Sequence, residues 1–422
     1  MRQMKDSKIQ WVGEIPSDWK CLPIYVLFDE VNRKNVFGKE KQALQFRYGT
    51  IVPKENFEAD DDLYVAKTIL NYNVVDPGTI MINGLNLNFD FVTQRVALVK
   101  DRGAITSAYL AIKPKKTVTI SAEYMTYLLK SYDNCKAFHN MGGGVRKILN
   151  FDELKRNFII VPSVDEQRNI ARFLDKKCEE IDILVKDIEK QIEVLEKLKR
   201  TTITEAVTKG LNPDVELVES GVKWIGEIPF HWKSDKLKYH LKRSEPKNPG
   251  NVMVLSLYRD FGVIPKDSRD DNHNITSEDT SKYKYVKPGN FVVNKMKAWQ
   301  GSVAVSNYEG IISPAYYVYE FMDEAYNKRY FHYLLRGCYK DEFMRMSGGM
   351  RVGQWDLAAE DLENTLILIP PVDEQTKISE FLDNKCAEID QSIELKKEQI
   401  EKLEDYKKSL IFEYVTGKKE VV

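Results

Sequence analysis

Apolar residues recur at three- and four-residue steps along two stretches of the chain. The first runs through Ile170, Leu174, Ile181, Val185, Ile188, Ile192 and Leu195; the second runs through Ile378, Leu382, Ile389, Ile393, Ile400, Leu403 and Leu410. This is the spacing of a helix seated against another helix. Each run follows a proline and opens on acids, Asp165 and Asp373 among them, which suit the positive end of a helix dipole. The pattern predicts two rods of roughly 40 residues, about 60 Å long at the helical rise. Helices in water draw most of their stability from packing an apolar face, so each rod is expected to find the other.

The remaining pattern is different. Short β-branched and aromatic runs such as "TIMIN" (79–83), "RVALV" (95–99), "FVVN" (291–294) and "AYYVYEF" (315–321) are separated by Pro-Gly and Asn turns. They predict a mixed α/β globule with a curved, largely antiparallel sheet. One helical segment interrupts each set, "SAEYMTYLLKSY" from 121 and "NKRYFHYLLRGCY" from 327.

These elements are written twice. "WVGEIPSDWK" at 11–20 returns as "WIGEIPFHWK" at 224–233, and "VDPGTIMIN" from 75 returns as "VKPGNFVVN" from 286. "GGVRK" from 143 answers "GGMRV" from 348, and "PSVDEQ" from 162 answers "PPVDEQ" from 370. "FLDKKCEEID" from 173 answers "FLDNKCAEID" from 381. The order is preserved, so this is a tandem duplication of one large unit and not a short solenoid repeat. The boundaries read as a first globule at 1–163, a helix at 164–210, a linker and second globule at 211–371, and a second helix at 372–422. The short linker makes the second globule begin at the far end of the first helix. The helices are then expected to run antiparallel with pseudo-twofold symmetry, returning the C-terminus to the segment at 11–20. Ile15 and Ile228 precede proline and are expected to be extended, with the flanking tryptophans as packing anchors of a joint between helix and globule.

Composition narrows the function. A length of 422 residues with 11% aromatics supports two to three domains with real cores. No run of about 18 apolar residues predicts a membrane span, and five scattered cysteines suit reduced thiols in a cytoplasm. The net charge is −1, yet residues 1–163 hold 23 Lys and Arg against 18 Asp and Glu, and residues 372–422 hold 9 against 13. Contact with phosphate must therefore use local patches. No P-loop spacing occurs, "MGGGVRK" lacks it, and no Asn-Pro-Pro-aromatic segment for base methylation is found. The Glu-x-Lys inside "DELK" at 152–155 has no partner acid and reads as a solvated helix face. The five histidines form no ligand-spaced cluster. Neither catalysis, nor a metal, nor a cofactor is expected.

The duplicated "WIGEIPFHW", "PPVDEQ…FLDNKCAEID" and "NKMKAWQG…GIISPAY" phrases make the whole chain resemble the specificity subunit of a type I restriction-modification system. The resemblance implies an α+β fold with two pseudo-twofold-related mixed α/β target recognition domains, separated by an antiparallel pair of long coiled-coil helices. It implies recognition of a split, asymmetric site in double-stranded DNA, one half per globule, with the gap measured by the helices. It further implies methyltransferase subunits as partners, two in number, with restriction/translocase subunits joined through them, and no membrane. A coiled-coil scaffold whose globules bind proteins is the alternative, and a DNA-processing enzyme with a cryptic site is a second one that the missing motifs weigh against.

Candidate DNA-contacting residues follow the strands. "NKMKAWQG" supplies Asn294, Lys295, Lys297, Trp299 and Gln300, and its counterpart supplies Asn83, Asn86 and Asn88. Asn and Gln can pair with adenine edges and Lys with guanine or phosphate; the plainer account is a core tryptophan beside solvated lysines. The glycine loops supply Gly143, Gly144, Arg146 and Lys147, and Gly348, Gly349 and Arg351, for backbone approach to phosphate or simply for positive φ. Arg95, Arg259 and Arg345 are further cations for which a solvated role competes. Cys178 and Cys386 fall on the apolar stripes and are expected in the core. The Asp-Glu-Gln opening each helix can bind a partner or stabilise the helix start, and the second is the simpler reading.

Overall fold

The computed structural model describes residues 2–54, 69–89, 91–92, 94–141, 147–250, 252–259, 261–269, 276–277, 279–322, 324–349 and 355–421. The chain divides into two compact units, one of residues 1–188 with 397–422 and one of residues 189–396. Each long helix, Val164–Lys209 and Val372–Val415, therefore contributes one half to each unit. Among the described residues no helix is long and apolar enough to cross a membrane.

Each unit is built on a four-stranded antiparallel sheet with the same strand order. In the first unit it runs Phe28–Glu30, Leu110–Pro114, Ile80–Ile82, Val96–Leu98. In the second it runs Leu241–Arg243, Tyr316–Phe321, Phe291–Asn294, Val303–Val305. Because side chains alternate along a strand, neighbouring residues serve different cores. Ile80, Ile82, Val96 and Ile112 face the helix Ala122–Asn134 and join its Met125, Leu128 and Leu129. Met81 and Ala111 face the other way, against Leu44 of the hairpin Leu44–Arg47/Thr50–Pro53. The second unit repeats this: Phe291, Val293 and Tyr319 face the helix Lys328–Cys338. Val292, Ala304 and Val318 face the hairpin Leu255–Tyr258/Gly262–Pro265. A sheet covered on both faces needs unbroken apolar strands, and that is why "TIMI" and "FVV" do not alternate.

The two long helices pair antiparallel within each unit. In the first, Asp182 meets Lys407 at 2.5 Å; in the second, Gln191 meets Lys396 at 2.5 Å and Lys199 meets Asp390 at 2.6 Å. Partner numbers fall on one helix as they rise on the other. These exposed pairs stabilise little, on the order of 0–1 kcal/mol each; burial of the stripe does more. Ile170, Leu174 and Ile181 share a core with Leu410, Ile411 and Val415, while Ala206 and Val207 share one with Ile378 and Leu382. Cys178 and Cys386 lie buried on these stripes, and burial pushes both thiols up from their ordinary pKa.

The start of each long helix is held by its own acid and amide. The Trp19 indole donates to Glu166 at 3.0 Å and the Trp232 indole donates to Glu374 at 2.9 Å. Gln167 and Gln375 are fully buried. Gln167 accepts from the Ser121 backbone N–H and donates to the Pro162 carbonyl, both at 2.9 Å. Gln375 accepts from Asn327 N–H and donates to the carbonyls of Ala325 and Pro370, each at 2.8 Å. Asp165 and Asp373 stay in solvent, at 94% and 71% side-chain exposure. The glutamates and glutamines thus serve the helix start, and the aspartates are the most solvent-exposed members of the motif.

The segment at 11–20 meets the end of the second long helix. Ile15 is buried in the extended stretch Glu14–Pro16, Lys418 donates to the Val12 carbonyl at 2.9 Å, and the Tyr124 hydroxyl donates to the Val415 carbonyl at 2.8 Å. Gly417 turns at φ +70°, where a Cβ would stand 2.5 Å from Pro16. In the second unit the Tyr330 hydroxyl donates to the Val207 carbonyl at 2.9 Å, beside Gly210 and Trp232. Trp11 packs edge-on against Tyr132 at 5.6 Å and Trp224 against Tyr339 at 5.7 Å, anchors as their recurrence suggested. Replacing Gln375 with Ala removes the side-chain partner of three backbone groups, the buried Pro370 carbonyl among them, at about 1–3 kcal/mol for a buried group left unsatisfied. The expected loss is about 3 kcal/mol by urea unfolding, whereas Asp373→Ala should change stability by no more than about 0.5 kcal/mol.

Candidate nucleic-acid interface

In both units the central strand ends in an asparagine that builds a turn. Asn83 accepts from the Leu85 N–H at 3.2 Å and Asn294 accepts from the Met296 N–H at 3.1 Å, so each side chain substitutes for a turn carbonyl. Asn294 is only 7% exposed. Its side-chain oxygen is committed to the turn, and Asn83 carries the same commitment, which removes the acceptor half of the amide from any base edge.

Arg95 is likewise committed. It is fully buried, and its guanidinium donates to the carbonyls of Asn83 at 2.9 Å and Leu85 at 2.7 Å. Its backbone N–H donates to the Asp133 carboxylate at 2.7 Å, and burial pushes that carboxyl upward from its usual pKa. The arginine holds the turn from within. Outside it, Asn86 is exposed with φ +53° and Asn88 is half-buried. Phe89 is exposed, and Phe91 stacks on His139 at 4.7 Å.

Each turn lies against the glycine-loop region of its own unit. In the first, Leu149 donates to the Gly84 carbonyl at 2.9 Å and Leu87 donates to the Lys147 carbonyl at 3.3 Å. A Cβ on Gly84 would stand 2.4 Å from the Leu149 carbonyl oxygen, so only glycine allows this approach. Lys147 is exposed in left-handed conformation, with φ +39°. In the second, Gly348 and Asp356 exchange backbone hydrogen bonds at 3.2 and 2.9 Å. Lys295 pairs with Asp356 at 3.4 Å, and the rings of Trp299 and Trp355 lie 5.4 Å apart. Trp299 donates to the Met296 carbonyl at 3.1 Å, so it braces the turn with part of its ring still open. Gln300 is half-buried, while Lys297 and Gly349 are exposed; Lys297 makes no ion pair among the described residues. Gly143, Gly144, Arg146 and Arg351 lie outside the described residues.

Other side chains flagged in the sequence have settled roles. Glu153 of "DELK" forms a capping box with Asn150, and Arg345 pairs with Glu342 at 2.5 Å. The hairpins over the second sheet face were missed, although "LQFRYGTIVP" from 44 and "LSLYRDFGVIP" from 255 are a legible further repeat. In the second unit a cavity of about 560 Å³ lies beside that hairpin, lined by Phe261, Gly262, Asn307, Tyr308, Lys328 and His332 among others. Among the described residues no group of three or more His, Cys, Asp or Glu side chains could hold a metal ion.

The duplicated scaffold, with a different polar turn on each copy, is that of a two-domain recognition protein. The family model for the type I restriction modification DNA specificity domain matches residues 93–194 and 239–405, more than half of the chain, and the chain belongs to that family. It is similar to the putative type I restriction enzyme MjaX specificity subunit of Methanocaldococcus jannaschii, 24% identical over 96% of this chain and 95% of that one. It is also similar to the MjaVIII specificity subunit of the same organism, 28% identical over 75% and 74%. In fold it matches a chain from a structural study of complex assembly and conformational transition of the type I R-M system, with TM-score 0.69 and 15% identity over 96% and 99%. The HsdS subunit from Thermoanaerobacter tengcongensis matches with TM-score 0.50 and 17% identity over 96% and 98%.

Three expectations follow. Arg95→Met removes the donors of two half-buried carbonyls and a buried hydrogen-bonded cation, and should destabilise the chain by about 2–4 kcal/mol. Lys297→Ala should leave stability within about 0.5 kcal/mol while weakening DNA binding with a shallower salt dependence. Paired urea unfolding and salt-titrated binding separate them. The third concerns His332, whose Nδ1 accepts from the Val305 N–H at 3.3 Å and whose pKa burial depresses from 6.5 to about 3. Between those values the unfolded chain takes up a proton that the folded chain refuses, so stability falls as pH drops below about 6.5. His332→Gln should flatten that fall by up to about 1.4 kcal/mol per pH unit, read from urea midpoints at several pH values.

Proposed function

We propose that the chain is the sequence-recognising subunit of a type I restriction-modification assembly, reading a split, asymmetric site in double-stranded DNA with one half per unit. The observation that carries this is the pairing of a repeated strand order with non-identical turns at the end of the central strand. Asn86, Asn88 and Phe89 stand in one unit where Lys297, Trp299 and Gln300 stand in the other. A repeated frame holds two readers alike in position, and different side chains make them ask for different bases.

Methylation, ATP hydrolysis and cleavage then fall to partner subunits. Two methyltransferase subunits dock on the long helices, and restriction/translocase subunits join through them. Exposed apolar side chains on those helices support docking: Ile183 and Leu184 in the first unit, Val194, Leu198 and Leu395 in the second. Such residues on a soluble helix surface suit protein contact better than contact with DNA. The near-zero net charge also favours affinity that arises in the complex and not in the lone chain. The test exchanges residues 234–369 for the equivalent region of a relative and maps methylated sites in cells that carry the complex. One half of the target should change and the other should persist; a change in both halves would sink the assignment of one half to each unit.

A further inference from the structure

The hairpin covering the second face of each sheet ends in a tip built to touch something. In the first unit Arg47 pairs with Thr50 across the register, leaving Tyr48 and Gly49 as the turn. Both have positive φ, +47° and +70°, the conformation of the tight hairpin turn that Asn-Gly normally supplies. A tyrosine there is strained, and no core contact offsets the strain, because Tyr48 is 83% exposed. Backbone strain retained without packing in return marks positions kept for contact. The Arg47 guanidinium lies over the Tyr48 ring at 5.5 Å, and among the described residues it has no carboxylate partner.

The tip continues the surface already described. A Cβ on Gly49 would stand 2.3 Å from the Gln94 side-chain oxygen, and Gln94 is the exposed neighbour of Arg95, which holds the turn after Ile80–Ile82. Alternation along the hairpin puts Leu44, Phe46 and Ile51 against the sheet and leaves Gln45, Arg47 and Thr50 on the outer face. The second unit carries the same device in different chemistry. Tyr258 pairs with Gly262, so its tip is one residue longer. Phe261 is 57% exposed, and the Arg269 guanidinium lies 4.3 Å over its ring.

A two-stranded ribbon fits the major groove of B-form DNA. An arginine fork suits the two acceptors of guanine, and an aromatic face suits the thymine methyl group. We propose that each hairpin tip enters the major groove of its half-site and reads base edges, through Arg47 and Tyr48 in the first unit and through Phe261 with Arg269 in the second. The assignment rests on the recognition reading above. It adds that Arg47 specifies a guanine and that the unequal tips contribute to the asymmetry of the site.

The test uses the full chain in complex with its modification subunits, acting on a DNA library randomised over the target and scored by sequencing methylated molecules. Arg47→Ala should relax one position of one half-site and lower methylation of the preferred sequence on the order of 10- to 100-fold. The other half should be unaffected, and Lys116→Ala, an exposed cation elsewhere in the unit, should change nothing. Arg47→Lys should not restore the base preference, because an ammonium lacks the planar fork. Tyr48→Gly should raise the unfolding midpoint by removing strain while loosening the same half-site, a combination that a purely structural tyrosine would not give. Unchanged selectivity in the Arg47 and Tyr48 variants, or an equal loss at every sequence, would overturn the groove assignment. Absence of any sequence preference in the unaltered complex would instead overturn the recognition reading itself.

Discussion

A buried carboxamide at the start of each long helix ties that helix to the start of the short helix and to the strand end before it, groups that also share one apolar core. Gln375 receives the first N–H of the helical segment at Asn327, answers the carbonyl of Ala325, and closes on Pro370 just before its own helix. Gln167 does the same work between Ser121 and Pro162. Beside each, a glutamate receives an indole N–H from the tryptophan that follows the Ile-Pro step. The two glutamines are fully buried, so their own amide groups would be costly to leave unpaired. Sheet, short helix and long helix are therefore fixed as one body, and the turns at the strand ends inherit that rigidity.

Rigidity at the base permits variety at the rim. The sheet is buried on both faces, so its strands tolerate little except apolar residues. The turn after the central strand is held by backbone and by inward-facing polar groups: Asn83 with Arg95 in one unit, Asn294 with the brace from Trp299 in the other. Side chains between those supports can change without disturbing the frame. That is the physical requirement for a duplicated protein whose copies recognise different sequences.

The fold was largely legible because its signals are local and written twice. Heptad spacing through Ile170, Leu174 and Ile181 reports a buried helical stripe directly, and the pre-proline isoleucines report extended backbone. The site was legible only in outline. Residue type pointed equally to Arg95 and Lys297 as cations for DNA, yet one is sealed under the turn and the other is exposed. Asn83 and Asn294 suit an adenine edge by chemistry, but an asparagine two residues before an available N–H also closes a turn, and that local bond won. The Arg47–Tyr48 tip escaped notice because strain is a property of φ, which a tyrosine in a β-rich stretch does not announce.

By itself, then, the sequence determined the duplication, the class of each segment, the antiparallel long helices and the joint that begins with "WVGEIP". All of these follow from periodicity, from steric rules at proline, and from the limited reach of a short linker. Only the tertiary structure decided which polar side chains are spent inside and which remain for a ligand. Burial depends on what the sheet, the short helix and the hairpin bring to the same place from distant parts of the chain. No local pattern around Arg95 encodes the Asp133 carboxylate that meets its N–H from the neighbouring helix.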